Sequence, residues 1–312
     1  MPEPKDLHVD AVLTDLSIKY RNEDIIWPLL MPVVKVNKRS DKFTKYNKAD
    51  SFKLVNDAIG PKSLPNEIDW GETPDNYSVK DHALSDWLPQ EAIENADNPL
   101  APEIDTNDFL NLLMDIAQEK RVADLIFAAG TYPSGNKVQL SGTAQWNSSA
   151  DDPIGDLLAA IEGCFMRANI VVMGADVWKI FRKLPEILDA VKGSTRQQST
   201  PGGLATIEEC RGLFEVEKWI VGRARYITTK EGQPPTYTRL WGKHCAALHV
   251  TPNPGIRSIA FGVTFAEMLR QTQRSFDVKR GIKGAHFFKV ACNSDEKVIA
   301  SDLGYFIQDA IA

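Results

Sequence analysis

Thr106-Asn107-Asp108-Phe109-Leu110-Asn111-Leu112-Leu113-Met114-Asp115-Ile116-Ala117-Gln118-Glu119-Lys120-Arg121-Val122-Ala123-Asp124-Leu125-Ile126-Phe127-Ala128 is the longest helical period in the chain. Asp105 or Thr106 can cap it, and acids sit at the positive end of its dipole. Phe109, Leu112, Leu113, Ile116, Lys120, Ala123 and Phe127 recur at three and four residues, and Gly130 stops the pattern. At 1.5 Å per residue these 23 residues reach about 35 Å, roughly twice the usual globular helix. A helix of that length reads as a structural spine.

On its N-terminal side the texture is extended. Ten of the eighteen prolines fall within the first 102 residues. After a short amphipathic start (Leu7 to Tyr20), Val33 to Val36 and Phe43 to Tyr46 alternate in the manner of strands. Pro61, Pro65 and Pro74, with Gly60 and Gly71, punctuate a stretch from Asn56 to Asn76 that is too polar for a core of its own. A long projecting loop or hairpin is expected there, and such loops find partners.

On the C-terminal side, from Asp151, the pattern becomes α/β. Pro153 opens a helix to Met166, and Asn169 to Met173 reads as a buried strand. Helices follow at Ala175 to Leu184, Glu186 to Lys192 and Ile207 to Leu213, then a strand at Val216 to Val221, with Gly193 to Gly203 composed as a mobile loop. Beyond Pro252 and Pro254, strands are expected at Ser258 to Phe265, Thr272 to Val278, Ala285 to Ala291 and Lys297 to Ser301, before an apolar Leu303 to Ile311 segment.

The 312 residues suffice for one large or two modest domains. Hydrophobic content of 43%, charged content of 25% and a mean hydropathy of -0.27 exclude a collagen, a wholly disordered chain and a polytopic membrane protein. The start, Met1-Pro2-Glu3-Pro4-Lys5-Asp6, has no signal-peptide character, so a reducing compartment is expected. Cys164, Cys210, Cys245 and Cys292 lie 35 to 47 residues apart and read as buried free thiols. A net charge of -6 argues against a nucleic-acid binder as a whole.

Charge is nevertheless segregated. Lys35, Lys38, Arg39, Lys42, Lys45 and Lys48 face only Asp41, whereas residues 81 to 124 hold eleven acids against Lys120 and Arg121. These are either two solvated faces or a basic arm that lies on an acidic surface of the next copy.

Catalytic signatures are absent: there is no G-x-S-x-G, H-E-x-x-H, G-x-G-x-x-G, P-loop or EF-hand pattern. His244, Cys245 and His249 come nearest to a metal cluster, but a strand spacing of five sends the two imidazoles to opposite faces. Gly193 to Gly203 lacks the lysine and the strand-to-helix context of a phosphate cradle, and Asn147-Ser148-Ser149 is a sequon without export. No catalytic, cofactor-binding or metal-binding residue is assigned. Trp70 and Trp87, flanking the expected loop, are the side chains an intersubunit contact would use.

The order of arm, long loop, spine helix, α/β module and returning strands resembles the major capsid proteins of tailed double-stranded DNA bacteriophages, the Hong Kong 97 fold. Ile25-Ile26-Trp27-Pro28-Leu29-Leu30-Met31-Pro32-Val33-Val34-Lys35-Val36, leading to Lys45-Tyr46, resembles that family's arm-to-loop entry. Asn95 to Leu100 is similar to the segment before the spine, Trp178 to Ile187 to a helical motif of the axial domain, and Val221-Gly222-Arg223-Ala224-Arg225-Tyr226 to one of its strands.

The resemblance implies an α+β fold: an N-terminal arm (1–37), an extended loop (38–84), a peripheral domain with the spine (85–150 and 255–312) and an α/β axial domain (151–254). It implies a structural, non-enzymatic subunit without cofactors that self-assembles into hexamers and pentamers of an icosahedral head. That head would form in the host cytoplasm and become the virion shell, enclosing double-stranded DNA without sequence-specific binding and without a membrane. Decoration, scaffolding and portal proteins are the further partners it implies. The chain begins almost at the arm, so a fused scaffolding segment is not expected. Some relatives crosslink a loop lysine to a neighbour's asparagine; Lys53, Lys62 and Asn293 are available, but no spacing selects them, and the bond is not predicted. The alternatives are an encapsulin-like nanocompartment shell and a soluble α/β enzyme with its pocket in 151–250.

Overall fold

The computed structural model describes residues 25–312 except 47, 61–62, 97–100, 149–151, 195–202, 231 and 255–258. The expected amphipathic start at Leu7 to Tyr20 and most of the Gly193 to Gly203 loop lie outside the described residues.

In chain order the strands are β1 (Val33–Lys35), β2 (Ser40–Tyr46), β3 (Glu72–Ser78), β4 (Lys80–Pro89), β5 (Lys137–Gln139), β6 (Ile170–Gly174), β7 (Lys218–Gly222), β8 (Arg225–Ile227), β9 (Tyr237–Arg239), β10 (Cys245–Leu248), β11 (Gly262–Ala266), β12 (Gln271–Asp277), β13 (Ala285–Val298) and β14 (Gly304–Gln308). The helices of four residues or more are α1 (Trp27–Leu30), α2 (Lys48–Ser51), α3 (Gln90–Glu94), α4 (Pro102–Ile126), α5 (Pro153–Gly163), α6 (Ala175–Phe181), α7 (Pro185–Ser194) and α8 (Ile207–Phe214).

One sheet has the order β1-β11-β13-β12, with β4 added to β13. Its backbone is β13, which pairs antiparallel with β4 over Ala285–Ser294, with β12 over Ala285–Ala291 and with β11 over Asp295–Val298. The sequence reading expects two separate strands here, Ala285 to Ala291 and Lys297 to Ser301, with the polar run Asn293-Ser294-Asp295-Glu296 between them. The strand instead runs through. Asn293 and Ser294 are buried, and Asn293 donates to Glu267 (2.9 Å) and accepts from the Met268 amide (2.6 Å). Ser294 donates to Glu296, which pairs with Arg121 on the spine. Tertiary partners thus satisfy polar groups that a local reading assigns to water.

The second sheet, β5-β14-β10-β6-β7, forms the α/β part. Strand β6 is buried along its whole length, as a continuous apolar run between helices requires. Its helices carry local signals: Asp152 accepts from the Gly155 amide at the start of α5, and Thr206 with Glu209 forms a capping box on α8. Trp146, Trp178, Phe181, Phe214 and Trp219 fill its core. The C-terminal strand β14 and β5 belong to this sheet, each through direct pairing.

The spine α4 spans 25 residues. It starts at Pro102, four residues before the expected first residue Thr106, because proline at the first helical position is itself a start signal. The buried stripe is also rotated from the expected one. Leu110, Met114, Gln118, Glu119, Val122, Ala123 and Ile126 are inside, whereas Phe109 and Leu113 are exposed. Leu110 and Met114 pack on Phe288, Val290 and Cys292 of β13. Val122, Ala123 and Ile126 enter a second core with Leu30, Met31, Trp241, Phe261 and Phe306. Two polar residues on the buried stripe, Gln118 and Glu119, are what a hydropathy count misplaces.

Candidate functional site

The segment between β2 and β3 is the first feature without a core. The two strands pair from Ser40↔Ser78 to Tyr46↔Glu72 and enclose residues 47–71. Phe52, Leu54, Val55, Ile59, Leu64, Ile68 and Trp70 are all exposed, Leu54 and Leu64 almost completely. Scattered exposed apolar residues are ordinary, but seven within nineteen positions on one segment mark a contact surface.

The base of this hairpin is fixed to the body. Lys297 of β13 pairs with Asp75 at 2.5 Å and donates to the Asn76 carbonyl, and Lys45 reaches Asp75 at 2.7 Å. Burial pushes the Asp75 carboxyl upward, but these two lysines and the Asn76 amide hold it down at about 2. Lys48 pairs with Asp302 and lies over the Phe165 ring, on which Phe52 packs edge-on at 4.9 Å. Tyr77 stacks on Phe265 at 4.7 Å. The hairpin is therefore fixed to the body at its root, while its apolar side chains from Leu54 to Trp70 are exposed.

The basic and acidic runs are largely engaged within the chain. Arg39 pairs with Asp81 and Lys38 with Asp41. Among the acids, Glu94 pairs with Lys283, Glu103 with Arg274, Asp115 with Arg270 and Asp124 with Lys120. Trp70 is 62% exposed. Trp87 is half-buried against Phe287, with the Arg280 guanidinium 3.8 Å from its ring centroid.

A joint that sequence reading missed lies at Glu119. The carboxylate is fully buried and accepts from the Trp27 amide (2.8 Å), the Ile26 amide (3.1 Å) and Trp241 Nε1 (2.6 Å). One side chain of the spine thus binds the arm and the segment between β9 and β10. Burial pushes this carboxyl up to about 7, against the three donors that favour its charged form. Gly222 makes room for Trp241: a Cβ at that position would lie 2.2 Å from the indole ring. An unusually placed acid inside an apolar helix period was the available signal.

The residues weighed for chemistry do not converge. His244 is half-buried against Phe127 and Phe306 and accepts from the Asp309 amide, with its pKa lowered by burial. His249 contacts the Arg167 carbonyl at 2.9 Å instead. Among the described residues no three His, Cys, Asp or Glu side chains are grouped to hold a metal. All four cysteines are free and buried, and burial pushes Cys164 and Cys210 up to about 12. Asn293, one residue available for a crosslink, is buried and engaged as described; Lys53 pairs with Asp50, and Lys62 lies outside the described residues. No described helix is long and apolar enough to cross a membrane.

The chain thus combines an exposed apolar loop on a rooted hairpin with a long spine whose Glu119 ties the Ile26–Trp27 segment to Trp241. Comparison with known proteins decides what kind of protein this is. No protein-family model matches the chain. The major capsid protein of Pseudomonas phage JBD67 is 32% identical over 97% of both chains. The chain belongs to the phage major capsid proteins. The major capsid protein of Burkholderia phage BcepMu is 29% identical, covering 78% of this capsid protein and 76% of its own length. A phage-related protein from Bordetella bronchiseptica shares its fold at a TM-score of 0.69, with 23% identity over 97% of both chains. The capsid of cyanophage P-SCSP1u superposes at a TM-score of 0.62 with 9% identity, over 97% of this chain and 93% of the other. The fold is the α+β Hong Kong 97-like fold, and the phage-capsid reading stands over the nanocompartment one.

Proposed function

We propose that this capsid protein assembles as hexamers and pentamers into an icosahedral head around double-stranded DNA, and that its function resides in subunit contacts rather than in a catalytic centre or cofactor. Residues 1–37 serve as the arm, 38–84 as the extended loop, 85–150 with 255–312 as the peripheral domain and 151–254 as the axial domain. Strands β5 and β14 stitch the peripheral parts to the axial sheet. Assembly proceeds in the host cytoplasm, with portal, scaffolding and decoration proteins as the further partners of the shell.

The observation that carries this reading is the row of exposed apolar side chains on residues 52–70, held on a hairpin whose root is fixed by Lys297 and Asp75. Surface of that kind is stabilised by burial on an adjacent copy, at about 25 cal/mol per Å² of apolar area. Replacing residues 52–70 with a short Gly-Ser linker should leave a folded chain that no longer closes shells. Circular dichroism and negative-stain imaging after size exclusion check both halves. Normal shells from the shortened chain would remove the loop from the assembly mechanism.

A further inference from the structure

The spine carries a second apolar stripe that the fold leaves uncovered. Phe109, Leu112, Leu113 and Ile116 are spaced at three and four residues along two turns of α4, so they share one face. Phe109 is 52% and Leu113 38% exposed, and Leu112 is half-buried. Leu110 and Met114, on another face, are the residues that pack on β13. The stripe meets a core only at Ile116, which packs, as Trp27 does, on the cluster holding Ile26, Leu30 and Met31.

The N-terminal part of the chain joins the molecule at this end of the stripe. Ile26 donates its amide to Glu119 at 3.1 Å, and Glu119 is three residues beyond Ile116, less than one helical turn. The preceding sequence has a matching period: Val9, Val12, Leu13, Leu16 and Tyr20 are spaced at three and four residues, with Asp10, Asp15, Ser17 and Lys19 between them. As a helix that repeat covers about 18 Å, against about 12 Å for the stripe. Residues 21–25 reach about 17 Å at full extension, enough to bring Tyr20 beside Ile116.

We infer that residues 7–20 lie along the Phe109–Ile116 stripe of their own chain's spine, apolar period against apolar period. The contact does not depend on the capsid reading. Tethering favours this segment over a second copy, because a short link gives an effective concentration in the millimolar range. Shape favours it as well. Two amphipathic helical periods pack as ridges into grooves, whereas the described residues from 52 to 70, the exposed apolar part of a second copy, form no helix.

The test is hydrogen exchange by mass spectrometry on the full-length protein, taken from the single-subunit fraction of a size-exclusion column at micromolar concentration. Amides of residues 7–20 should exchange about tenfold or more slowly than those of an unstructured chain. F109S/L113S changes two exposed positions and should return these amides to the unstructured rate while β6 and β10 keep their protection. L13S/L16S, on the segment itself, should give the same loss without touching the spine. L64S/I282S removes exposed apolar side chains elsewhere and should track the wild type. Unstructured rates in the wild type, protection that survives F109S/L113S or L13S/L16S, or an equal loss in L64S/I282S would each overturn the inference. Protection confined to assembled particles would overturn it too, and would assign the stripe to a second copy. Imaging of wild-type particles tests the capsid reading separately, so shells without docking, or docking without shells, tell the two apart.

Discussion

Glu119 shows how one residue can join three parts of a chain. Its carboxyl is raised to about 7 from an ordinary 4.5, so between these values the native state holds a proton that the unfolded chain does not. The resulting stabilisation is fully present below pH 4.5 and is lost as pH rises through about 7, amounting to about 3 kcal/mol. Urea unfolding at a series of pH values should show the wild type weakening across that window, whereas Glu119→Gln, which cannot titrate, should lack this component. A matching pH slope in the variant would place the titration elsewhere. Gly222→Ala would drive a methyl into the Trp241 ring and displace the indole from Glu119. Overpacking of this kind costs about 1 to 3 kcal/mol, read as a lowered urea midpoint and a changed tryptophan emission.

At the scale of elements, the β2–β3 hairpin depends on Lys297. Its ammonium anchors Asp75 and the Asn76 carbonyl from a strand more than 200 positions away. Lys297→Met should loosen the hairpin without unfolding the sheet, at a cost of about 1 kcal/mol for a partly exposed pair. Hydrogen exchange should accelerate in residues 40–46 and 72–78 while β6 and β10 keep their protection. The Asp75 contribution itself is present above pH 3.8 and is lost as pH falls through about 2, the opposite sense to Glu119. The spine shows how far an element is legible: its existence and approximate length follow from apolar spacing. Its buried face does not, because that face includes Gln118 and Glu119, whose burial only their partners justify.

For the whole molecule, the two largest cores lie on opposite faces of the α/β sheet, the spine packs into one of them, and no disulfide joins them. The four thiols are buried, and burial raises each above its ordinary value. They should resist a thiol-specific reagent in the folded subunit and react together on denaturation. Rapid labelling of one or more in the native state would mean that the domains part in solution.

The sequence by itself determined the spine, the buried strand β6, the helices of the α/β part and the lack of a standard catalytic motif, because helix periods, apolar runs, proline starts and glycine stops are local physics; it held no sign of the ten-residue β4. It determined the loop as well, since residues 56 to 76 lack the apolar content for a core. Tertiary structure alone decided that β13 runs unbroken through Asn293-Ser294-Asp295-Glu296, that β14 closes the α/β sheet, and that Arg225 faces Arg239. Each of these depends on a partner distant in the chain. A polar group is placed in the interior by the donor or acceptor that meets it there, and local composition carries no record of that meeting.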